Sequence, residues 1–192
     1  MEKCGCATSR KKAPWLDRAL LGYYRLGWRG FFTLLRWRQR LASGNTILAA
    51  NSYGACLYLN AFNLIDRFVL RYGYYESEVL EALLPWLEDG SVFWDVGANF
   101  GLHSVTVKRL RPMTQVVSFE PAPGIMAQLL ANCTLNGLAV DARAVALGAE
   151  PGYRTFHVLE EGNPGGSTFH PEEGSSYART LTCWCDTGDR MV

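Results

Sequence analysis

The sequence predicts an α/β fold built on a parallel sheet, preceded by a helical arm. Three observations predict it. After Gly90, short apolar runs alternate with helical periodicities in the order β-α-β-α-β. Strands separated by helices of this length imply right-handed crossovers and parallel pairing. A turn carrying an aspartate and two glycines, "FWDVGANFG" at residues 93–101, stands where the first of these strands meets the first helix.

The arm comes first. From Trp15 to about Leu41, Leu16, Ala19, Leu20 and Tyr23 fall at helical spacing, as do Phe31, Leu34 and Leu35, and Gly22, Gly27 and Gly30 divide the segment. Residues 1–40 hold ten of the nineteen Lys and Arg, opposed only by Glu2 and Asp17. An arm packed on the domain with its arginines in water is the favoured reading. Peripheral contact with an anionic membrane or sugar-lipid surface is the alternative. Strand-like runs follow at Thr46 to Ala50 and Cys56 to Leu59, and a helix from about Asn63 to Arg71. We divide the chain into residues 1–59, the arm with its short strands, and residues 60–192.

In "GYYESEVLEALLPWLEDG", Val79, Leu80, Leu83, Leu84 and Leu87 make one apolar helical face, closed by Asp89-Gly90. Ser91 to Asp95 is then a strand, Leu102 to Leu110 a helix, and Gln115 to Phe119 a second strand. Pro123 to Leu135 is a helix with Met126, Leu129, Leu130 and Cys133 on one face, ended by Asn136-Gly137. Val140 to Val145 is a third strand. Tyr153 to Leu159 and Arg179 to Trp184 form a hairpin-like insertion around "EEGNPGGSTFHPEEGSS".

Composition excludes some functions. The 192 residues carry a net charge of +1, which leaves no global footprint for nucleic acid. The six cysteines fall as two Cys-x-Cys pairs and two singles, a spacing that favours reduced thiols over a metal site or disulfide framework. No metal is expected. The early apolar run Ala19 to Tyr24 is too short for a signal core, and nothing approaches the ~20 apolar residues of a spanning helix. A cytoplasmic chain is expected, with membrane association left open by the basic arm.

The opening turn carries the chemistry. Parallel α/β sheets bind ligands beyond the carboxyl ends of their strands. Gly97 lets the backbone pass close to a ligand, and Gly101 permits tight packing where the helix starts. Asp95 brings a carboxylate to the strand tip, and Asn99 an amide into the turn. At the next strand tip, in "FEP", Glu120 can accept the hydroxyls of a ribose. The dinucleotide fingerprint G-x-G-x-x-G places a pyrophosphate on the helix N-terminus, and here Asp95 would meet that anion. A cofactor with a positive amino group suits the turn better. S-adenosylmethionine is favoured over NAD.

"VFWDVGANFGLHSVTVKRL", "VVSFEPAP" and "LLANCTLNGL" resemble the FkbM-type methyltransferases, with D-V-G-A-N-x-G and F-E-P elements, an upstream G-x-Y-E that "GYYE" matches at Glu76, and a loop like "GNPGGS". The resemblance runs from about Asn60 to the C-terminus. It implies a Rossmann-like class I methyltransferase fold, with Asp95, Gly97, Asn99, Gly101 and Glu120 around S-adenosylmethionine. It implies methylation of a hydroxyl on a sugar, glycolipid or polyketide-like acceptor. The family continues into a strand reading about K-I-D-V-E-G, whereas this sequence stops at "DTGDRMV". An incomplete fold is therefore expected, comprising the first three parallel strands and the hairpin, with poor stability and impaired catalysis. A non-catalytic cofactor-binding remnant and an NAD-linked protein are the alternatives.

The catalytic base is left unassigned. His103 and Glu76 are weak candidates. His103, in the first turn of a helix, is more often a packing or surface residue. Glu76 either contacts the cofactor's amino end or the acceptor, or complements a helix dipole. His157 and His170 lie in the insertion. Phe100, in the turn, is the aromatic residue expected against the adenosine or acceptor, whereas Phe93 belongs to the core. Asn163 is a loop former or an acceptor contact, and Asp189 resembles a family aspartate of unknown role.

Overall fold

The computed structural model describes residues 14–27, 30, 33, 34, 36, 37, 46–159, 166–171, 177 and 179–192. Cys4, Cys6, Phe31, Leu35, Asn163 and most of "GNPGGS" lie outside them. The chain divides into two units, Met1–Tyr75 and Glu76–Val192.

In the first unit, helix α1 spans Pro14–Arg25. Strands β1 (Thr46–Ala50) and β2 (Cys56–Asn60) pair antiparallel, from Thr46 opposite Asn60 to Ala50 opposite Cys56. The alternation of β1 buries Ile47 and Ala49. The connecting turn is built by Asn51, whose Oδ1 accepts from the amides of Tyr53 and Ala55, both at 3.0 Å. Helix α2 (Leu64–Tyr72) buries Val69 and Leu70, and its buried Asp66 accepts from the Asn60 amide at 2.6 Å. It ends at Gly73, in the left-handed region at φ +88°, where a Cβ would lie 2.0 Å from Ser52 Oγ.

The second unit opens with helix α3 (Ser77–Leu83), which tightens into a 3-10 turn over Leu84–Trp86. Pro85 contributes to the change, because it donates no backbone bond to continue the helical ladder. Leu80 and Leu87 are buried as expected, but Val79 is exposed. Successive helical residues project about 100° apart, so a helix this short buries a narrow stripe. The Arg111 guanidinium holds this segment by donating to the carbonyls of Leu87 (3.1 Å) and Leu84 (3.2 Å).

Strand β3 (Val92–Val96), helix α4 (Leu102–Leu110), strand β4 (Gln115–Phe119), helix α5 (Pro123–Asn136) and strand β5 (Asp141–Arg143) follow. The sheet order is β3-β4-β5, with both pairings parallel. Asp95 is in register with Ser118, and Val96 with Phe119. This arrangement is compatible with a Rossmann-like fold. Helix α5 ends where Asn136-Gly137 predicts: Gly137 has φ +65°, its amide bonds Thr134 O, and the Leu138 amide bonds Cys133 O. On α5, Leu130 is exposed rather than buried; Met126, Leu129 and Cys133 share the inner face with Asn132.

The predicted third strand, Val140 to Val145, is shorter than expected, Asp141–Arg143, and a separate short strand lies just beyond it. After β5 the chain kinks, with the Val145 amide bonding Arg143 O, and β6 (Ala146–Leu147) leaves β4 to pair with β8. Strands β7 (Gly152–Val158) and β8 (Arg179–Asp186) are the expected hairpin, antiparallel from Gly152–Cys185 to Val158–Arg179. Their sheet runs β6-β8-β7. A 3-10 turn at Gly188–Arg190 follows. Trp94, Val117, Phe119, Val145, Leu147 and Met191 pack together on one face of the parallel sheet. Among the described residues, no helix is long and apolar enough to cross a membrane.

Candidate functional site

The turn between β3 and α4 is fastened to the tip of β4. The amides of Gly97 and Ala98 both donate to Phe119 O, at 2.9 and 3.0 Å. Three residues of this turn take the left-handed region: Gly97 (φ +74°), Asn99 (φ +51°) and Gly101 (φ +83°). Gly101 also has little room, since a Cβ there would lie 3.0 Å from Leu129 Cγ, a tight contact. Gly97 is different. Its Cβ would meet nothing within 4 Å, so the backbone faces open space.

Asn99 and Glu76 are the two non-glycine residues with positive φ among the described residues. Asparagine adopts this conformation at lower cost than most residues, partly through local side-chain bonds. Asn99 Oδ1 indeed accepts from the Phe100 amide at 2.9 Å. Glu76 has no such relief, and backbone strain of this kind concentrates at functional sites.

Both predicted acids are buried at neighbouring strand tips; Asp95 is 8% exposed and Glu120 5%. Asp95 Oδ2 accepts from the Ser104 amide (2.9 Å) and from the Ser104 hydroxyl. It thereby caps the first turn of α4, where the helix dipole favours an anion. The Ser104 proton is committed to Asp95, so Ser118, 2.7 Å away, donates to Ser104 Oγ. Asp95 Oδ1 accepts nothing from the described residues. Among those residues Thr114 Oγ1 is the one sealed, unpartnered side-chain atom, so Oδ1 reaches solvent. Glu120 is aimed by two backbone amides: Ala122 to Oε1 (2.9 Å) and Asn99 to Oε2 (3.0 Å).

Burial pushes both carboxyls above the ordinary range. For Asp95 the rise is opposed by the bond from the Ser104 side chain, then by the charge of His103 and the Ser104 amide. For Glu120 it is opposed by the Ala122 and Asn99 amides and reinforced by the charge of Asp95. No Lys or Arg among the described residues forms an ion pair with either. Two buried acids that repel each other, with no Lys or Arg of the described residues paired to either, form a donor set suited to a positively charged ligand. The open face of Gly97 leaves room for one. An adenosyl cofactor with an ammonium and a ribose diol fits this set.

The remaining candidates separate. Phe100, expected beside the ligand, is packed into the interior at 2% exposure. Its carbonyl accepts from Asn132 Nδ2 at 2.9 Å, which ties the turn to α5. His103 and Glu76 come together, with Nε2 and Oε2 4.0 Å apart. His157 sits on the hairpin instead, bridging to Thr168 through both backbone bonds (2.8 and 3.0 Å), its ring against Tyr177. His170 and Asp189 are exposed. Phe93 is half-buried, and Trp94 packs on Phe119 with ring centroids 5.1 Å apart.

Sequence reasoning missed Ser104, Ser118 and Asn132, all fully buried, and Cys183, which packs with Ala122, Phe156 and Val158. Their signal was a polar residue at an apolar position: Ser118 within "VVSF", and Asn132 on the inner face of α5.

Comparison with known proteins points to one class of activity. The chain is 38% identical over 80 residues to "Methyltransferase sdnD" of Sordaria araneosa, covering 41% of this chain and 31% of that protein. It is 31% identical over 133 residues to "31-O-demethyl-FK506 methyltransferase FkbM" of Streptomyces tacrolimicus, covering 69% of this chain and 46% of that one. It is 28% identical over 94 residues to "Methyltransferase 1" of Beauveria bassiana, covering 48% and 37%. The chain thus spans about a third to a half of the length of these curated relatives. No family model and no solved structure matches it. The curated proteins to which this chain is similar are methyltransferases by name.

Proposed function

We propose that residues 60–192 belong to an S-adenosylmethionine-dependent methyltransferase acting on a hydroxyl oxygen of a sugar, glycolipid or polyketide-like acceptor. The observation that carries this is the pair of buried acids, Asp95 and Glu120, which no Lys or Arg of the described residues pairs with, at adjoining strand tips beside the open face of Gly97. The relatives' names support the activity. One of them, as a 31-O-demethyl-FK506 methyltransferase, supports oxygen as the acceptor atom.

In this reading Glu120, aimed by the Asn99 and Ala122 amides, accepts the ribose hydroxyls with its remaining lone pairs. Asp95 turns Oδ1 to the cofactor's ammonium while Oδ2 stays on Ser104. Gly97 lets the backbone approach the ligand. When bound, S-adenosylmethionine supplies an electrophilic methyl group on a sulfonium leaving group. Alignment of an acceptor oxygen with that methyl can account for up to about 7–11 kcal/mol of the barrier. The hydroxyl proton passes to the His103–Glu76 pair, in which the carboxylate stabilises the imidazolium.

Calorimetric titration of the chain with S-adenosylhomocysteine and, separately, with NAD tests the cofactor. Saturable binding of the first alone is expected. Binding of NAD alone, or of neither by a chain that melts cooperatively, would overturn the reading.

A further inference from the structure

The charge of this chain is divided between its two units. Residues 1–75 carry twelve Lys and Arg against three Asp and Glu, a net charge of +9; residues 76–192 carry seven against fifteen, a net of −8. A near-neutral total conceals a strongly basic module.

Within that module the structure exposes apolar and aromatic side chains beside arginine. Tyr72, at the end of α2, is 68% exposed, and Leu26, just past α1, is 66% exposed. They belong to one patch. The Arg71 guanidinium lies 5.3 Å from the Tyr24 ring and 5.9 Å from the Tyr72 ring. A Cβ on Gly27 would lie 2.9 Å from Arg71 Nη2, so the segment after α1 lies against this arginine and brings Leu26 beside it. Phe68 continues the patch, with its ring 5.6 Å from Tyr72 and 5.5 Å from Tyr75. A contiguous exposed apolar patch bordered by a charged residue such as Arg71 marks an interaction site.

We infer that residues 1–75 dock on an anionic phospholipid surface. Leu26, Phe68 and Tyr72 enter the headgroup boundary, and the basic arm supplies the attraction. Charge complementarity selects the partner. Ten basic residues within the first forty match the negative surface potential of an anionic leaflet. The exposed apolar groups then favour a bilayer over a polyanion in water, since a nucleic-acid strand offers charge and base faces but no hydrocarbon to receive Leu26. This inference stands independently of the cofactor reading.

The test is flotation of the full chain with phosphatidylcholine vesicles, alone or with about one quarter phosphatidylserine, with heparin and an RNA oligonucleotide as polyanions without hydrocarbon. Binding to the anionic vesicles should be at least about tenfold tighter than to neutral ones and should be lost near 0.5 M salt. Leu26→Ser with Tyr72→Ser should weaken it several-fold on the anionic vesicles. Lys11→Glu with Lys12→Glu should weaken it by about tenfold or more, which keeps a readout if the first variant misfolds. Equal binding to neutral and anionic vesicles, binding to heparin or RNA as tight as to the anionic vesicles, or indifference to the Lys11 and Lys12 reversal would overturn the inference.

Discussion

Asp95 and Glu120 stand at the carboxyl ends of adjacent parallel strands, and the charge of Asp95 raises the proton affinity of Glu120. The chain folds with both acids buried, although each resists ionisation there. Such an arrangement costs stability without a ligand and becomes favourable when a cation joins it.

Replacing Asp95 by Asn separates these two effects. The amide oxygen can still accept both Ser104 bonds, so the α4 cap persists, while the buried charge is gone. We expect the ligand-free chain to gain about 0.5–2 kcal/mol of stability, as is common when a functional site is relaxed. We expect S-adenosylhomocysteine affinity to fall tenfold or more. Denaturant melts and calorimetry on the same variant check both. Lower stability with unchanged affinity would mean that Asp95 is only a helix cap.

Glu120 should behave differently, because two backbone amides depend on it. Glu120→Ala leaves the Asn99 and Ala122 amides without their acceptor, costing about 1–3 kcal/mol for each that finds no water. Glu120→Gln retains one oxygen and should cost less. Both should lose cofactor-induced thermal stabilisation. A Gln variant that keeps it would show that the diol is held elsewhere.

The raised carboxyls set the pH dependence. Below their unfolded-state values both acids are protonated in either state and contribute nothing. Through the window up to their raised native values the folded chain binds more protons, so ligand-free stability falls as pH rises. Cofactor binding should move oppositely across the same window, since the ammonium requires ionised carboxylates. Parallel melts and titrations between mildly acidic and neutral pH test this, and affinity that increases on acidification would contradict it.

The two turn glycines should separate stability from binding. Gly101→Ala combines a left-handed backbone, costing about 1–2 kcal/mol, with a tight contact against Leu129 Cγ, so it should destabilise more than Gly97→Ala. Gly97→Ala bears only the backbone cost, because its Cβ points into open space. Its larger effect should be on ligand affinity. Equal behaviour of the two variants in melting and in titration would remove the argument that Gly97 faces a ligand.

Much of this arrangement could be read from residue order. The boundaries of α4 and β4 follow from their apolar runs, and the turn from Asp95, Gly97 and Gly101, because each depends on local backbone preference and spacing. What depends on tertiary placement could not. The break between β5 and β6 arises because Ala146 and Leu147 find a partner in β8, far along the chain. The interior position of Phe100, the exposure of Leu130 and the Ser104–Ser118 contact follow from which neighbour occupies each face. The meeting of Glu76 with His103 rests on a left-handed glutamate, a conformation that no residue pattern in "GYYE" announces.

The most direct test is an amide-resolved NMR titration with S-adenosylhomocysteine. The account predicts that the Asn99 and Ala122 amides, which donate to Glu120, shift together with Gly97 and saturate at one ligand concentration, while those of β1 and β2 stay still. Saturable shifts that bypass all three amides would contradict it.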